Sequence, residues 1–365
     1  MKHLTIKLAS DFPLFNIPML TLDAPHLRSV ELDFGGLSDP SPIWRSICQR
    51  EPRIQKVSWR PTFIKRPTLP YLMPWELLTH LKLPLFTRKV SSTYVIAGLK
   101  MALLYCENLV SLEIAIILPT EDTPSTTNIH SAEQKADALR HLRAVRNKDT
   151  VYRDFTDFLH VEGDNVMTAI SGPVEVPRLC HLKIEAHASD SAPLLNHLTA
   201  PSLCSLEIIH YPEASFQCST DGIISFLQRS QPPLESLSLF DPQMKKIEIL
   251  KLVSHPFPEL RHLQLYVRPV GNGIMSALTI TEEKHVMPNL RKLVLPECFV
   301  SNEYMVNMVK SRIRDLTLKE LRMSLPPVMV KRGMRAMSKE QYHELHLLKD
   351  LASNFSEEQF KLIVD

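Results

Sequence analysis

The sequence predicts an α/β solenoid, in which parallel strands stack into a curved sheet on the concave side and helices lie on the convex side. Three observations support this fold class. A six-residue phrase, Leu-x-x-Leu-x-Leu in its common form, recurs eleven times along the 365 residues. Successive copies are mostly 24–31 residues apart, which leaves room for one strand and one helix. The intervening stretches carry apolar residues at helical intervals.

The strand phrase itself explains why the strands should stack. Its fourth and sixth residues alternate with period two, so both side chains point to one face of a sheet. One copy cannot bury this apolar row alone, so neighbouring copies must share it. Phrase positions are counted from the first apolar residue, and the count continues past the phrase to position nine. The first residues of ten copies lie at 27, 54, 78, 109, 179, 203, 234, 260, 290 and 318, and residues 1–6 fit the same frame.

Helices are predicted between the strands from apolar spacing and from capping residues. Asp221 precedes a helical pattern that contains Ile223, and it is predicted to be the N-cap. Asn302 is likewise predicted to cap a helix that carries Met305 and Met308. A proline often stands just before the strand phrase, where its fixed φ is tolerated and where it ends the preceding helix.

The chain is predicted to form a single domain over residues 1–365. Its parts are repeats over 1–118 and 177–337, an irregular insertion over 119–176 and a C-terminal helical cap over 338–365. The insertion has two interpretations: a degenerate repeat with a surface loop, or an inserted element over one rim that shapes a binding groove. Apolar spacing in the cap predicts short helices over 339–352 and 356–364, which would cover the end of the stack.

The composition argues against several function classes. Lys and Arg total 42 against 40 Asp and Glu, whereas a nucleic-acid-binding surface needs a surplus of cations. Nine glycines are few for a nucleotide-binding enzyme, and no nucleotide-binding, hydrolase or zinc-protease motif occurs. We therefore expect no enzyme activity, no catalytic residue, no cofactor and no nucleic-acid partner.

Cysteine and histidine give no sign of a metal site. The six cysteines form no CxxC pair and fit no disulfide framework, so free thiols in a cytoplasmic or nuclear protein are predicted. His343 and His346 share one helix face without a third ligand and are interpreted as a solvated pair. His3, His80, His181 and His262 all occupy phrase position three, and this shared position is interpreted as a feature of the repeat. No apolar run approaches the roughly 18–20 residues of a membrane helix, so no membrane partner is expected.

The phrase is that of leucine-rich repeats, and three stretches carry a closer resemblance. FLQRSQPPLESLSLFDP (226–242), MPWELLTHLKLP (73–84) and LLYCENLVSLEI (103–114) resemble the repeats of fungal, especially basidiomycete, F-box proteins. In those proteins a helix and a basic or polar hinge commonly precede the strand phrase. The ninth phrase position, usually Asn or Cys, fits only at Cys298, so no asparagine ladder is expected there.

This resemblance implies a function. In that family an N-terminal F-box docks on a Skp1-type adaptor of a cullin ubiquitin ligase, and the repeats select the protein to be ubiquitinated. Residues 74–78 imitate the opening of an F-box but run straight into the strand phrase, so no F-box is identified. The predicted function is a non-catalytic protein–protein interaction scaffold, the substrate-recognition repeats of an F-box type ubiquitin-ligase subunit. A Skp1-type adaptor is a partner only if an F-box exists upstream. The alternative is a leucine-rich-repeat adaptor, or a truncated gene product, with no ubiquitin-ligase role.

An unknown protein or peptide is predicted to bind the concave face, to which phrase positions three, five, seven and eight point. Charges at positions three, five and seven nearly cancel when all copies are pooled, so a partner of mixed charge is expected. The predicted binding patch is an apolar column at position seven with its neighbours: Ile209, Phe240 and Tyr266, flanked by His262, Gln264 and Arg268. The alternative is that a loop or the 119–176 insertion covers the column.

Overall fold

The structure is a computed structural model, and it describes fourteen ranges together with a few further residues near the C-terminus. The ranges are 2–8, 26–34, 53–61, 75–86, 99–100, 102–117, 172–187, 191–211, 220–267, 271–282, 285–295, 302–314, 317–323 and 360–364, and the further residues are 346, 349–350, 352–353 and 356. The chain divides into two compact units. Unit 1 comprises Met1–Ser189 and Pro193–Ser202, and unit 2 comprises Asp190–Ala192 and Leu203–Asp365.

Unit 1 contains a parallel sheet whose strands follow one another in chain order. Its strands are β1 (His3–Leu8), β2 (Ser29–Phe34), β3 (Lys56–Pro61), β4 (His80–Phe86), β5 (Ser111–Ile117) and β7 (His181–His187). A 3-10 turn over Trp75–Leu77 leads into β4. The two-residue strands β6 (Val174–Glu175) and β8 (Leu198–Thr199) pair with each other, and the short helix α1 (Ala192–Asn196) precedes β8. Of the predicted insertion, only residues 172–176 belong to the described part of the chain.

Unit 2 alternates parallel strands with helices. Its strands are β9 (Ser205–Tyr211), β10 (Ser236–Asp241), β11 (His262–Val267), β12 (Lys292–Leu295), β13 (Glu320–Met323) and β14 (Lys361–Val364). The helices between them are α2 (Thr220–Ser230), α3 (Lys246–Val253), α4 (Asn272–Leu278) and α5 (Asn302–Arg314). Among the helices that the structure describes, none has the length and apolar character needed to cross a bilayer.

The strand register places equal phrase positions side by side. Leu112 of β5 pairs with Leu182 of β7, and Leu237 of β10 pairs with Leu263 of β11. All four occupy phrase position four, and all four are buried. Full burial of a leucine side chain contributes about 1.5–3 kcal/mol relative to exposure, so these rows supply much of the free energy that holds each sheet in place. The predicted α/β class with parallel strands is confirmed in both units.

The backbone at the strand entry also repeats from copy to copy. The carbonyl at phrase position two accepts hydrogen bonds from two consecutive N–H groups of the next strand. Lys2 O accepts from Arg28 N at 3.0 Å and Ser29 N at 3.1 Å, and Glu235 O accepts from Arg261 N at 2.8 Å and His262 N at 2.9 Å. These paired bonds fix the offset between neighbouring strands before the ladder of the sheet begins.

Polar side chains just before the first apolar residue form a second link between copies. Asn108 Nδ2 donates to Glu76 O at 2.8 Å, Ser202 Oγ donates to Pro177 O at 2.6 Å, and Asn289 Nδ2 donates to Pro258 O at 2.8 Å. In each case the acceptor lies two residues before the first apolar residue of the preceding copy. These side-chain bonds are called the strand-entry ladder. The sequence did not predict it, because a ladder of asparagines was sought only at position nine.

Helix α2 is capped by a side chain from another helix. The helix begins at Thr220, so Asp221 lies in the first turn and the prediction that Asp221 is the N-cap is wrong. The Glu248 carboxylate of α3 instead accepts hydrogen bonds from Thr220 N at 3.2 Å and from the Thr220 hydroxyl. These bonds from Thr220, together with Lys251, lower the pKa of Glu248. Asp221 accepts a hydrogen bond from Lys251 Nζ at 3.3 Å.

The prediction of a helix over 356–364 is wrong for its last residues. Lys361–Val364 form β14, which pairs in parallel with β13. Without this strand, β13 would present unpaired backbone N–H and C=O groups at a sheet edge, and Ile363 and Val364 favour extended backbone. Within the predicted helix over 339–352, the described residues 346, 349–350 and 352 are helical.

Candidate functional site

The candidate site is a row of apolar side chains on the outward face of unit 2. A row consists of the residues at one phrase position in neighbouring strands. Phe240 of β10 pairs with Ile209 of β9 and with Tyr266 of β11, so row seven brings these three residues together. Burial alternates along β10, with Leu237 and Leu239 in the core and Phe240 only half-buried.

The aromatic rings of this site contact one another at favourable angles. The Phe240 and Tyr266 ring centroids are 5.6 Å apart with the ring planes tilted by 41°. Tyr211, at phrase position nine of the β9 copy, places its ring 6.5 Å from Phe240 at 45°. Tilted aromatic pairs at such distances are attractive beyond the area they bury. Ile209, Tyr211, Phe240 and Tyr266 are called the aromatic row below.

Tyr211 was missed when the site was predicted from the sequence. It is 36% exposed, and Phe240 and Tyr266 are half-buried, so all three keep part of their surface open. Position nine is odd, like positions three, five and seven, and the period-two rule alone therefore places Tyr211 on the outward face.

The flanking residues of the predicted patch are only partly described. His262 is exposed and Gln264 is half-buried, and both lie on β11 on the same face as Tyr266. Gln264 pairs with Ser238 of β10, and Ser238 pairs with Glu207 of β9, so two neutral polar residues and one acidic residue adjoin the aromatic row on that side. Arg268 lies outside the described residues. The described part of the site is therefore an apolar strip with a polar border that includes the acidic Glu207.

A serine, a histidine and an aspartate form a buried network on the inward side of the same strands. His210 Nε2 lies 3.2 Å from Ser191 Oγ, and His210 Nδ1 lies 3.2 Å from Asp241 Oδ2. Asp241 Oδ1 accepts a hydrogen bond from Gln243 N at 2.9 Å, which fixes the turn after β10. His210 and Asp241 occupy phrase position eight and are buried, so the prediction that position eight points outward is wrong: period two puts it on the inward side with positions four and six.

The order of these three groups is that of hydrolase triads, but their burial indicates a structural role. Ser191 is 0% exposed and Asp241 is 4% exposed. A nucleophilic serine must reach a substrate carbonyl, and this hydroxyl is enclosed by protein. The network instead supplies hydrogen-bond partners to three buried polar side chains and joins β9 to β10, because buried polar groups without partners are costly.

Two buried cations hold backbone segments in place. Lys100 Nζ in unit 1 donates to Gly172 O at 2.8 Å, and burial lowers the pKa of Lys100. Arg312 of α5 in unit 2 donates from Nε to Leu278 O at 2.8 Å, from Nη1 to Met287 O at 3.0 Å and from Nη2 to Val286 O at 2.9 Å. Both side chains are enclosed, so neither is available to a ligand.

The cysteines and histidines of the described residues do not form a metal site. No group of three or more His, Cys, Asp or Glu side chains is placed to hold a metal ion in that part of the chain. Cys106, Cys180 and Cys204 are free thiols, and burial, with a smaller effect of Glu76, raises the pKa of Cys106 to about 12. A thiol with so high a pKa stays protonated and unreactive. His346 is exposed, and His343 lies outside the described residues.

A shallow groove in unit 2 has a volume of about 410 Å³ and lies near the entry of β10. Leu227, Pro232, Phe257 and Pro258 supply most of its apolar lining. The His255 ring packs edge-on against Phe257 at 5.0 Å, and burial lowers the pKa of His255. The groove resembles the space left between helix ends and proline-containing turns more than a site with convergent polar groups.

The sequence matches no protein-family model and no curated protein.

Proposed function

We propose that this chain is a non-catalytic protein-binding scaffold, a leucine-rich-repeat solenoid whose aromatic row is the centre of the partner site. The observation that supports this function best is the register of β9, β10 and β11. It aligns Ile209, Phe240 and Tyr266 in adjacent strands on the outward face, about 5 Å apart in the direction of strand stacking. Large apolar groups in contact on a half-open surface are typical anchors of protein interfaces.

The aromatic row suits a protein or peptide partner because its shape is fixed before binding. Its side chains stand on hydrogen-bonded strands, and the rings contact one another at 5.6 and 6.5 Å. The aromatic row therefore loses little conformational entropy when a partner binds, which improves affinity for a given contact area. The neutral Ser238 and Gln264 beside the row can form hydrogen bonds at the rim without leaving a buried charge unpaired.

The resemblance to fungal F-box proteins supports a narrower proposal. The chain would be the substrate-recognition repeats of an F-box type ubiquitin-ligase subunit, with a Skp1-type adaptor as partner only through an F-box upstream. The alternative is an adaptor, or a truncated gene product, with no ubiquitin-ligase role. Affinity purification of the full product of the locus separates the two, because a co-purifying Skp1-type adaptor supports ligase membership. The 365-residue chain alone is expected not to bind that adaptor.

The partner site is tested with a partner identified by affinity purification. Phe240→Ala/Tyr266→Ala should weaken binding by about 2 kcal/mol or more, roughly thirtyfold in Kd, because both anchors of the row are truncated. The matched control is Ile247→Ala/Tyr304→Ala, which removes exposed apolar groups that are 57% and 42% exposed on α3 and α5. The control should bind like the parent. Equal affinity of the Phe240/Tyr266 variant and the parent would refute this site.

A further inference from the structure

The strand-entry region of unit 1 carries two neighbouring rows that contain no carboxylate. Row two consists of Lys2, Arg28, Gln55, Thr79, Val110 and Cys180, and row three consists of His3, Ser29, Lys56, His80, Ser111 and His181. These twelve positions hold three Lys or Arg side chains, three histidines and several hydroxyls. The cationic and histidine members, Lys2, His3, Arg28, Lys56, His80 and His181, are called the basic strip.

The register makes the basic strip a continuous surface. His3 pairs with Ser29, Ser29 with Lys56, and Lys56 with His80, so row three runs across adjacent strands without a gap. Strands in a sheet lie about 4.8 Å apart, so the six strands of unit 1 span about 24 Å. An extended peptide, at about 3.3 Å per residue, covers that distance with roughly eight residues.

The cations of the strip are exposed and have no acidic partner in the described part of the chain. Lys2, Arg28 and Lys56 are exposed, and none of them forms an ion pair with a described residue. The carboxylate of Glu113 in row five does not neutralise them, because it lies between Lys82 and Lys183 and pairs with both. Glu31 in row five of β2 pairs in register with Thr5 and Ser58 and lies on the same face as Lys56, so the β1–β3 end carries an acidic side chain beside the three cations of the strip.

His80 lies at the centre of the strip, and its Nδ1–H is already used within the protein. The Thr79 hydroxyl donates to Gln55 O at 3.1 Å, so at 2.9 Å it accepts from His80 Nδ1–H. His80 Nε2 makes no hydrogen bond to a described residue, and because it carries the lone pair of the neutral ring it can donate to an anion only when the ring is protonated. Burial lowers the pKa of His80, and the positive charges of Lys56 and His181 lower it further, so the strip already repels added positive charge.

The same two rows in unit 2 do contain carboxylates. Glu235 in row two lies 3.5 Å from Arg261, and Glu320 in row three lies 2.9 Å from Lys292. Arg261 and Lys292 of unit 2 are therefore each paired with a carboxylate of the same two rows, whereas Lys2, Arg28 and Lys56 of unit 1 are not. The lack of acid in unit 1 is a property of that unit and does not follow from the strand phrase.

We propose that the basic strip of unit 1 binds an extended, carboxylate-rich segment of a partner protein. Three permanent cations at the strand entry complement a row of Asp and Glu side chains, the histidines add to them when protonated, and the hydroxyls of Ser29 and Ser111 can donate hydrogen bonds between them. This surface is separate from the aromatic row and goes beyond the proposed function. It adds a second, electrostatic recognition element in unit 1.

The experiment measures binding of a fluorescein-labelled eight-residue poly-glutamate peptide by anisotropy, with a poly-glutamine peptide of the same length as control; about eight residues span the sheet. The test variant is Arg28→Gln/Lys56→Gln. The matched control is Arg261→Gln/Lys292→Gln, which makes the same change at the same phrase positions in unit 2. We expect the test variant to weaken binding about five- to tenfold, because two exposed ion pairs are lost, and the control to bind like the parent.

Further arms of the experiment separate the alternatives. The charge-retaining Arg28→Lys/Lys56→Arg variant should restore binding, and affinity should fall as salt rises, because exposed charges are screened. The Phe240→Ala/Tyr266→Ala variant should bind poly-glutamate like the parent, which separates this proposal from the aromatic row. Three results would overturn it: no binding of poly-glutamate, equal losses in the test and control variants, or tighter strip-dependent binding of a single-stranded oligonucleotide of equal charge.

Discussion

The outward faces of unit 1 and unit 2 differ in chemistry although both stand on the same kind of strand. In unit 1, row five carries Lys82, Glu113 and Lys183 in adjacent strands, and Glu113 pairs with both lysines. In unit 2, row seven carries Ile209, Phe240 and Tyr266, in which the contacts are apolar and aromatic. The strand phrase constrains the inward positions and leaves the outward ones free, so one backbone pattern supports an ionic surface or an aromatic one.

This difference assigns different roles to the two units. Charged surfaces attract a partner from a distance and lose strength in salt, whereas aromatic anchors act at contact and are nearly independent of salt. The basic strip and the aromatic row are therefore expected to affect different rate constants. Loss of the strip should slow association, and loss of the row should speed dissociation.

The largest expected effect is in the cores, where the two units should behave alike. Leu182→Asp in unit 1 and Leu263→Asp in unit 2 each place a charge at a buried position four, and each should cost about 4 kcal/mol or more. Urea unfolding measures the loss, and amide hydrogen exchange should show lost protection in β7 and β11, respectively. Tolerance of either substitution at under about 1 kcal/mol would contradict the burial of that row.

The next largest effects should come from the two buried cations, and the loss of stability should differ between the units. Arg312→Met in unit 2 leaves three carbonyls without their donors and should cost about 3 kcal/mol or more. Lys100→Met in unit 1 removes the donor to Gly172 O and the 3.4 Å contact with His197 Nδ1, and should cost about 1–2 kcal/mol. Thermal unfolding of both variants gives the ranking. Arg312→Lys is the informative control, because an ammonium cannot reproduce three bonds of fixed direction. A larger loss for Lys100→Met would reverse the assignment.

The outward faces of the two units should differ in how their contributions to stability depend on salt, and these effects should be smaller. Glu113→Gln removes the shared partner of Lys82 and Lys183, and it should destabilise the chain by about 0.5–1 kcal/mol in dilute buffer and by nearly nothing in ~1 M salt.

A double-mutant cycle on Phe240 and Tyr266 should give a coupling of about 0.5–1.5 kcal/mol. That coupling should not change with salt. A strongly salt-dependent aromatic coupling would remove the distinction between the two faces.

The smallest expected effect is a dependence on pH in unit 2. The bonds from Thr220 and Lys251 hold the pKa of Glu248 below its usual value near 4.3. A carboxyl whose pKa is lower in the folded state stabilises the fold above its unfolded pKa, and this contribution is lost as pH falls through the folded pKa. Glu248→Gln should therefore flatten the decrease in stability below about pH 4, as measured by urea unfolding at several pH values. An unchanged profile would show that the α2 cap does not depend on the charge of Glu248.

The sequence was sufficient for the strands and the apolar rows because both follow from local alternation. Leu182 and Leu263 could be placed in a core without knowing which strands pair, since period two alone decides the face. The same rule placed Phe240 and Tyr266 outward. It also indicates Tyr211, which was overlooked because position nine was compared only with the typical repeat.

The remaining features depend on contacts between distant residues. The charges of all copies taken together are balanced, but they are distributed unevenly. In rows two and three, Glu235 and Glu320 pair with cations of unit 2, whereas the same rows of unit 1 contain no carboxylate. The cap of α2 comes from Glu248, 28 residues away from Thr220, and no local rule identifies it. Strand β14 forms because β13 offers an edge, which the local apolar spacing could not show.

The strand-entry ladder has a consequence for how such a chain can change length. The paired bonds to each position-two carbonyl, and the side-chain bonds of Asn108, Ser202 and Asn289, fix the start of a strand against the start of its predecessor. Residues added or deleted after a strand leave this alignment untouched, whereas a single deletion between the ladder residue and the strand would turn every inward side chain outward. Length variation between copies is thus confined to one side of the sheet, where loops and helices can grow without shifting the surface that partners meet.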